Sequence, residues 1–185
     1  EAIDSAQGSI SDLSDQMTQW QESMEQADMT HLPKYEEVEQ AADMLQEADG
    51  MIQDIPSTFN DHPVQFIQDT RGKASSRSGQ RDNILNVLGA CLEGFEMKHT
   101  ETEAYVDAAQ DATDRAQDDY DRCTDDYGNV FEGKEEDAEM YYKSLGACGA
   151  FLDSCVEAHE RIEEYIEGIR EIIDLMEQVE FPGMF

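Results

Sequence analysis

Apolar residues return along most of this chain at alternating three- and four-residue steps, the spacing that sets them on one side of an α-helix. The first series runs Ile3, Ala6, Ile10, Leu13, Met17, Trp20, Met24 and Ala27. Thr30 to Pro33 interrupts it, because proline brings no amide hydrogen to a helix interior. A second series follows through Val38, Ala42, Leu45, Ala48 and Ile52. Together they predict a helical hairpin over residues 1–55.

Between residues 56 and 80 the periodicity fails, and Pro56, Pro63, Gly72, Gly79 and the serine-rich run 73–78 read as a flexible connection with one helical turn near Phe66. Arg71, Lys73, Arg77 and Arg81 lie in or beside it and make up a third of the 12 basic residues. A third series then runs Ile84, Leu88, Cys91, Phe95, Lys98, Thr102, Tyr105, Ala109, Ala112, Ala116, Tyr120 and Cys123. After the turn Tyr127 to Gly133 it is answered by Tyr141, Leu145, Cys148, Leu152, Cys155, His159, Ile162, Ile166, Ile169, Ile173 and Met176.

Both long series keep the 3.5-residue repeat of helices that wind about one another. The expected fold class is all-α: an elongated helical bundle with a long antiparallel coiled-coil hairpin over 81–180, plus the shorter N-terminal helical hairpin. Each long helix should run about 45 residues, or roughly 65–70 Å. Ile166, Ile169 and Ile173 should face Ile84 to Phe95 and also cover the N-terminal hairpin or a partner chain. Residues 181–185 read as a helix stop with two exposed aromatics, Phe181 and Phe185.

Charge narrows the range of partners. The 185 residues carry 44 acidic and 12 basic side chains, a net charge of -32, while 39% of them remain hydrophobic. That apolar share is enough for a core when it is regularly spaced. The anionic surface repels DNA, RNA and the anionic face of membranes, so direct nucleic-acid binding is not expected, whereas a basic partner surface is compatible. No apolar run approaches the roughly 20 residues of a membrane span, and no secretory signal is visible. The expected location is the cytoplasm, or outside the cell after export without a classical signal peptide.

Candidate chemistry adds little. Cys91, Cys123, Cys148 and Cys155 invite a two-disulfide reading. With a turn near 130–131, however, the closest cross-helix pair is displaced by roughly 15 Å along the axes, beyond bridging range. Four free thiols and a reducing compartment are expected. Glu96-Met-Lys-His99 has the spacing of a carboxylate-bridged di-iron site, which requires a second such motif that the sequence lacks. The segment Asp121 to Gly128 resembles a calcium loop, yet alignment on its glycine places Cys123 and Lys134 where carboxylates are required. Cys155 and His159 share a helical face with no third orienting group evident, which favours packing over nucleophilic catalysis. No metal, cofactor or enzyme activity is expected.

The turn reads Asn129-Val-Phe131-Glu132-Gly133, with Ala138, Tyr141 and Tyr142 following on the next helix. An aromatic, any residue and glycine between two long helices resembles the turn of the WXG100 and LXG helical proteins of type VII secretion, with phenylalanine where tryptophan is usual. The resemblance implies a helical secretion substrate or partner, with Phe131 packing into the hairpin tip and Gly133 permitting the reversal. Tyr35-Glu-Glu-Val-Glu39 fits the family's export pattern, but it precedes the long hairpin instead of following the last helix.

The leading functional expectation is a non-enzymatic helical protein–protein interaction module that pairs with a protein partner or a second copy. Its candidate interaction and turn residues are Phe131, Gly133, Tyr141, Ile166, Ile169, Ile173, Phe181 and Phe185. Two alternatives stand beside it. One is an acidic DNA-mimic inhibitor of the anti-restriction or anti-CRISPR type, for which Asp107 to Asp126 and Glu157 to Glu171 would supply the carboxylate rows. The other is a virion or filament assembly component. Acidity that merely reflects a saline habitat would carry no information about partners.

Overall fold

A computed structural model describes residues 2–56, 58–59, 62–63 and 76–182, the two short segments by backbone alone. Four helices make up nearly all of it: α1 (Ala2–Gln26), α2 (Pro33–Ile52), α3 (Arg77–Asp121) and α4 (Glu135–Gln178). The fold is all-α, a helical bundle with a long hairpin, as the periodicity predicts. Inside the expected connection, β1 (Thr58–Phe59) pairs antiparallel with β2 (His62–Pro63). The helical turn expected near Phe66, and the cations Arg71 and Lys73, lie outside the described residues.

Local chemistry sets the helix ends. Pro33 opens α2 after an extended Leu32, using a position whose amide needs no partner within the helix. Ahead of α3, the Ser76 Oγ accepts the Gly79 amide at 3.1 Å. This N-cap satisfies one of the free amides of the first turn and starts the helix four residues before the position that periodicity marked. Asp28, with φ of 55°, turns the chain out of α1, so Ala27 lies beyond the helix and is exposed.

The chain divides into two compact units, residues 1–96 with 165–185, and residues 97–164. The first joins the N-terminal hairpin to the start of α3 and the end of α4. Its core holds Ile10, Leu13 and Met17 from α1, and Val38, Leu45 and Ile52 from α2. Against them lie Ile84, Leu88, Cys91 and Phe95 from α3, and Ile169, Ile172, Met176 and Val179 from α4. The N-terminal hairpin therefore does not stand apart as a domain at 1–55. Its stripes are one-sided, and the isoleucines of α4 and the apolar start of α3 close them, each fully buried Ile, Leu or Phe contributing about 1.5–3 kcal/mol.

Polar contacts align these helices. The Arg81 Nη1 donates to the Val179 carbonyl at 2.8 Å, the Arg170 Nη2 to Glu96 Oε1 at 2.7 Å, and Phe95 meets Tyr165 edge-on at 5.9 Å. Glu96 is thus engaged by an arginine. Tyr35 joins α2 to α1 by donating its hydroxyl to Glu25 Oε1 at 2.7 Å. Trp20 is half-buried, with the Arg77 guanidinium 4.6 Å and the Lys34 ammonium 5.2 Å from its ring.

The second unit is a two-helix antiparallel hairpin, marked by His99 against His159 (4.1 Å between ring centroids) and Tyr120 against Tyr142 (5.8 Å). Its seam is small and partly polar. The buried apolar residues described there are Ala109, Ala116, Cys123, Ala138 and Ile162, and the Thr102 Oγ1 lies 3.0 Å from His159 Nδ1. Polar groups interrupt the apolar series at this seam. The inward place expected of Tyr105 is corrected, since it is exposed while Val106 is half-buried. Thr102 and Ala109 keep their inward places, and between them the helix steps by four and then three residues instead of three and then four. The same choice of step between Ile169 and Met176 buries Ile172 completely and leaves Ile173 half-buried.

All four cysteines are free thiols, Cys91 and Cys123 buried, Cys148 and Cys155 half-buried. Burial pushes the Cys91 thiol up to about 12, which suppresses the reactive thiolate at ordinary pH. Native-state alkylation followed by mass spectrometry is expected to label Cys148 and Cys155 first and Cys91 only on unfolding. Replacing Phe95 by Ala should destabilise the first unit by about 3–5 kcal/mol. Gly50→Ala, where an added Cβ meets nothing within 4 Å, should instead stabilise by up to about 1 kcal/mol. Urea unfolding followed through Trp20 measures both.

Candidate functional site

The reversal between α3 and α4 is built from backbone hydrogen bonds and one carboxylate. Asp125 and Asn129 face each other through the Asp125 amide and Asn129 carbonyl at 2.9 Å. Thr124 and Val130 form an isolated bridge, and the Phe131 amide donates to the Cys123 carbonyl at 2.9 Å. The Asp125 Oδ1 accepts from the amides of Tyr127 (3.0 Å) and Asn129 (2.8 Å), and the Asn129 side-chain amide lies 3.0 Å from Oδ2. These bonds, led by that of the Asn129 side chain, hold the Asp125 carboxyl below its ordinary range. What resembled a calcium loop is a self-satisfied turn.

Gly128 (φ +79°) and Gly133 (φ +80°) take left-handed conformations that suit glycine. Gly133 lies in the reversal between α3 and α4. The packing expected of Phe131 is not seen: the residue stays 47% exposed. The residues beneath the turn, Cys123, Thr124 and Ala138, are small and close-packed, and a hairpin of two helices leaves no third surface to cover a ring. Val130 and Tyr127 are exposed as well, Tyr127 to 90%.

Beside the turn an apolar groove of about 320 Å³ opens between the helices, floored by Ala138, walled by Tyr120, Val130 and Tyr142, and edged by Glu135 and Glu139. Tyr142, 65% exposed, forms its outer wall. Tyr141, the neighbour singled out from the sequence, is half-buried. Each basic residue at this end is engaged within the chain: Arg122 with Asp119 (2.8 Å), Lys134 with Asp137 (3.1 Å) and Lys143 with Glu139 (2.6 Å). Asp121, Asp126, Glu132, Glu135 and Glu136 have no such cationic partner among the described residues, so the field around the groove is strongly negative.

Further along α4 the residues Ser144-Leu-Gly-Ala-Cys-Gly-Ala-Phe-Leu152 carry no charge. Phe151 and Met140 are exposed, and an added Cβ on Gly146 or Gly149 meets nothing within 4 Å. Each glycine weakens the helix by about 0.5–1 kcal/mol relative to alanine, with no packing within this chain to require it. This feature was missed from the sequence, although an uncharged run in so acidic a chain was a readable signal.

The remaining candidates fall in the other unit. Ile166 and Ile169 are buried and serve its core; Ile173 and Phe181 are half-buried, so the expectation of an exposed Phe181 is corrected; Phe185 lies outside the described residues. His159 meets Thr102 and His99, which gives it a packing partner other than Cys155.

Because the folded-state pKa of Asp125 is depressed, its contribution to the turn is present above the ordinary 3.8 and is lost as pH falls below that value. The hydrogen-exchange protection of the Tyr127 and Asn129 amides, taken relative to the intrinsic rate at each pH, should fall on acidification through that window. The Asp125→Ala variant should show the faster exchange already at neutral pH. Comparison with protein-family models, with curated proteins and with solved structures finds no match.

Proposed function

We propose that this chain is a non-enzymatic helical protein–protein interaction module whose hairpin of residues 97–164 is the recognition element. The observation that carries the reading is where the exposed large apolar side chains fall. Among the described residues, Met97, Tyr105, Phe131, Met140, Tyr142 and Phe151 are exposed in that hairpin, while the other unit exposes only Met29 and Leu32 in its α1–α2 loop. The concentration of exposed large apolar side chains in one unit of an otherwise charged surface supports an interaction role. The glycines at 146 and 149 fit the same role, because a helix without Cβ atoms on one face admits the close approach of another.

The Phe131-Glu132-Gly133 turn supports a finer version, a substrate or helical partner of type VII secretion. Its support is the glycine-mediated reversal between two long helices. No described helix is long and apolar enough to cross a membrane, and the recognition envisaged is between proteins.

The test is the mass of the chain isolated at native abundance under gentle conditions, read by light scattering. A complex heavier than the 20.9 kDa chain by at least one further polypeptide is expected, and it should weaken about tenfold or more when Tyr142 and Phe151 are both replaced by Ser. A free, inert monomer in its native extract would refute the proposal.

A further inference from the structure

Building on the interaction reading above, we infer that the groove at the hairpin tip accepts an aliphatic or aromatic side chain from a partner segment that flanks that side chain with lysine or arginine. The groove is shallow and open to solvent, apolar where Tyr120, Val130, Ala138 and Tyr142 line it, and its volume of about 320 Å³ can admit one large side chain from the surface. Its rim is anionic. Glu135 and Glu139 edge it, with Glu132 and Glu136 a residue or a turn away.

The cations that this chain has at the tip are already committed, Lys134 to Asp137 and Lys143 to Glu139. The hydrogen bond from Lys143 holds the Glu139 carboxyl below its ordinary range, and the bond that Lys134 donates to Asp137 raises the Lys134 ammonium. Both pairs remain charged at neutral pH. The surplus negative potential is therefore met by cations from outside.

Charge also decides between occupants. A second copy would bring a net charge of -32 against -32 and press one carboxylate rim on another, a like-charge juxtaposition that suppresses association. Nucleic acid and anionic lipid are repelled for the same reason. A basic protein segment gains both contributions at once: the apolar side chain leaves water inside the groove, while the flanking cations meet Glu135 and the neighbouring Glu132 and Glu136 and accelerate encounter.

The experiment titrates the isotopically labelled full chain with three synthetic dodecapeptides followed by amide NMR: a central leucine flanked by lysines, the same peptide with serine for leucine, and the same peptide with glutamates for the lysines. The leucine–lysine peptide is expected to shift resonances at Tyr120, Val130, Ala138 and Tyr142 and to bind at least about tenfold more tightly than either control. Tyr142→Ser should lose at least that factor with helicity unchanged by circular dichroism, since this side chain is largely exposed, and Met29→Ser, at an exposed position of the other unit, should leave the peptide affinity as it is. The double variant Glu132→Gln, Glu135→Gln should lose affinity at low salt and little at high salt. Equal affinity for the leucine and serine peptides, shifts confined to other residues, an unaffected Tyr142→Ser chain, or no binding at all would each overturn the tip assignment. If the native chain still runs as a complex in any of those cases, the interaction reading survives and only this site falls; a native monomer refutes both.

Discussion

An amphipathic helix has to bury its apolar stripe against other helices, and the number that share this task decides what each part of the chain leaves in water. In the first unit four helical segments supply stripes, so Ile10, Leu13, Leu45, Leu88 and Ile169 all reach complete burial. In the second only two segments are present. A pair can close one seam, and whatever apolar side chain points elsewhere stays exposed. Exposed Tyr142 and Phe151 follow from that arithmetic of faces, not from a local defect in either helix.

The composition of the seam makes the contrast sharper. Alanines at 109, 116 and 138 let the two backbones approach closely, but they bury little area, and Thr102, His99 and His159 bring polar atoms to the same seam. With larger residues inside, the aromatics of the tip would have a bed to lie in. As built, the turn is held by its hydrogen bonds and by the Asp125 carboxylate, and its rings remain available.

Electrostatics acts at two scales. Within helices the few cations sit three or four residues from a carboxylate, as in Lys98 with Glu101 and Lys143 with Glu139. Such exposed pairs, screened by solvent, each add little. They offset a small part of the self-repulsion that so large a charge imposes on a compact state. The acidic first turn of α4, Glu135 to Asp137, gains from the positive end of the helix dipole. Those same residues rim the groove, so one local preference serves the helix start and shapes the field of the tip.

The helices were legible because a buried stripe writes its period directly into the order of residues: Ile3, Ile10, Leu13, Val38, Leu45 and Leu88 were all placed inward from spacing alone, and the glycine at 133 announced a reversal. The exchange of Tyr105 for Val106, and of Ile173 for Ile172 as the more deeply buried residue, was not legible, because the intervals 102–109 and 169–176 can each be divided into a three- and a four-residue step in either order, and spacing alone does not say which. Nor could spacing tell that Phe131 would stay outside, since its fate depends on how much room Cys123, Thr124 and Ala138 leave beneath it. The order of residues by itself determined which positions seek burial, where the helices break, and how negative the exterior is, all of them local or additive properties. Only the tertiary structure decided which stripes find enough partners to close, because burial belongs to the faces of several segments at once and no single segment encodes the number of its neighbours.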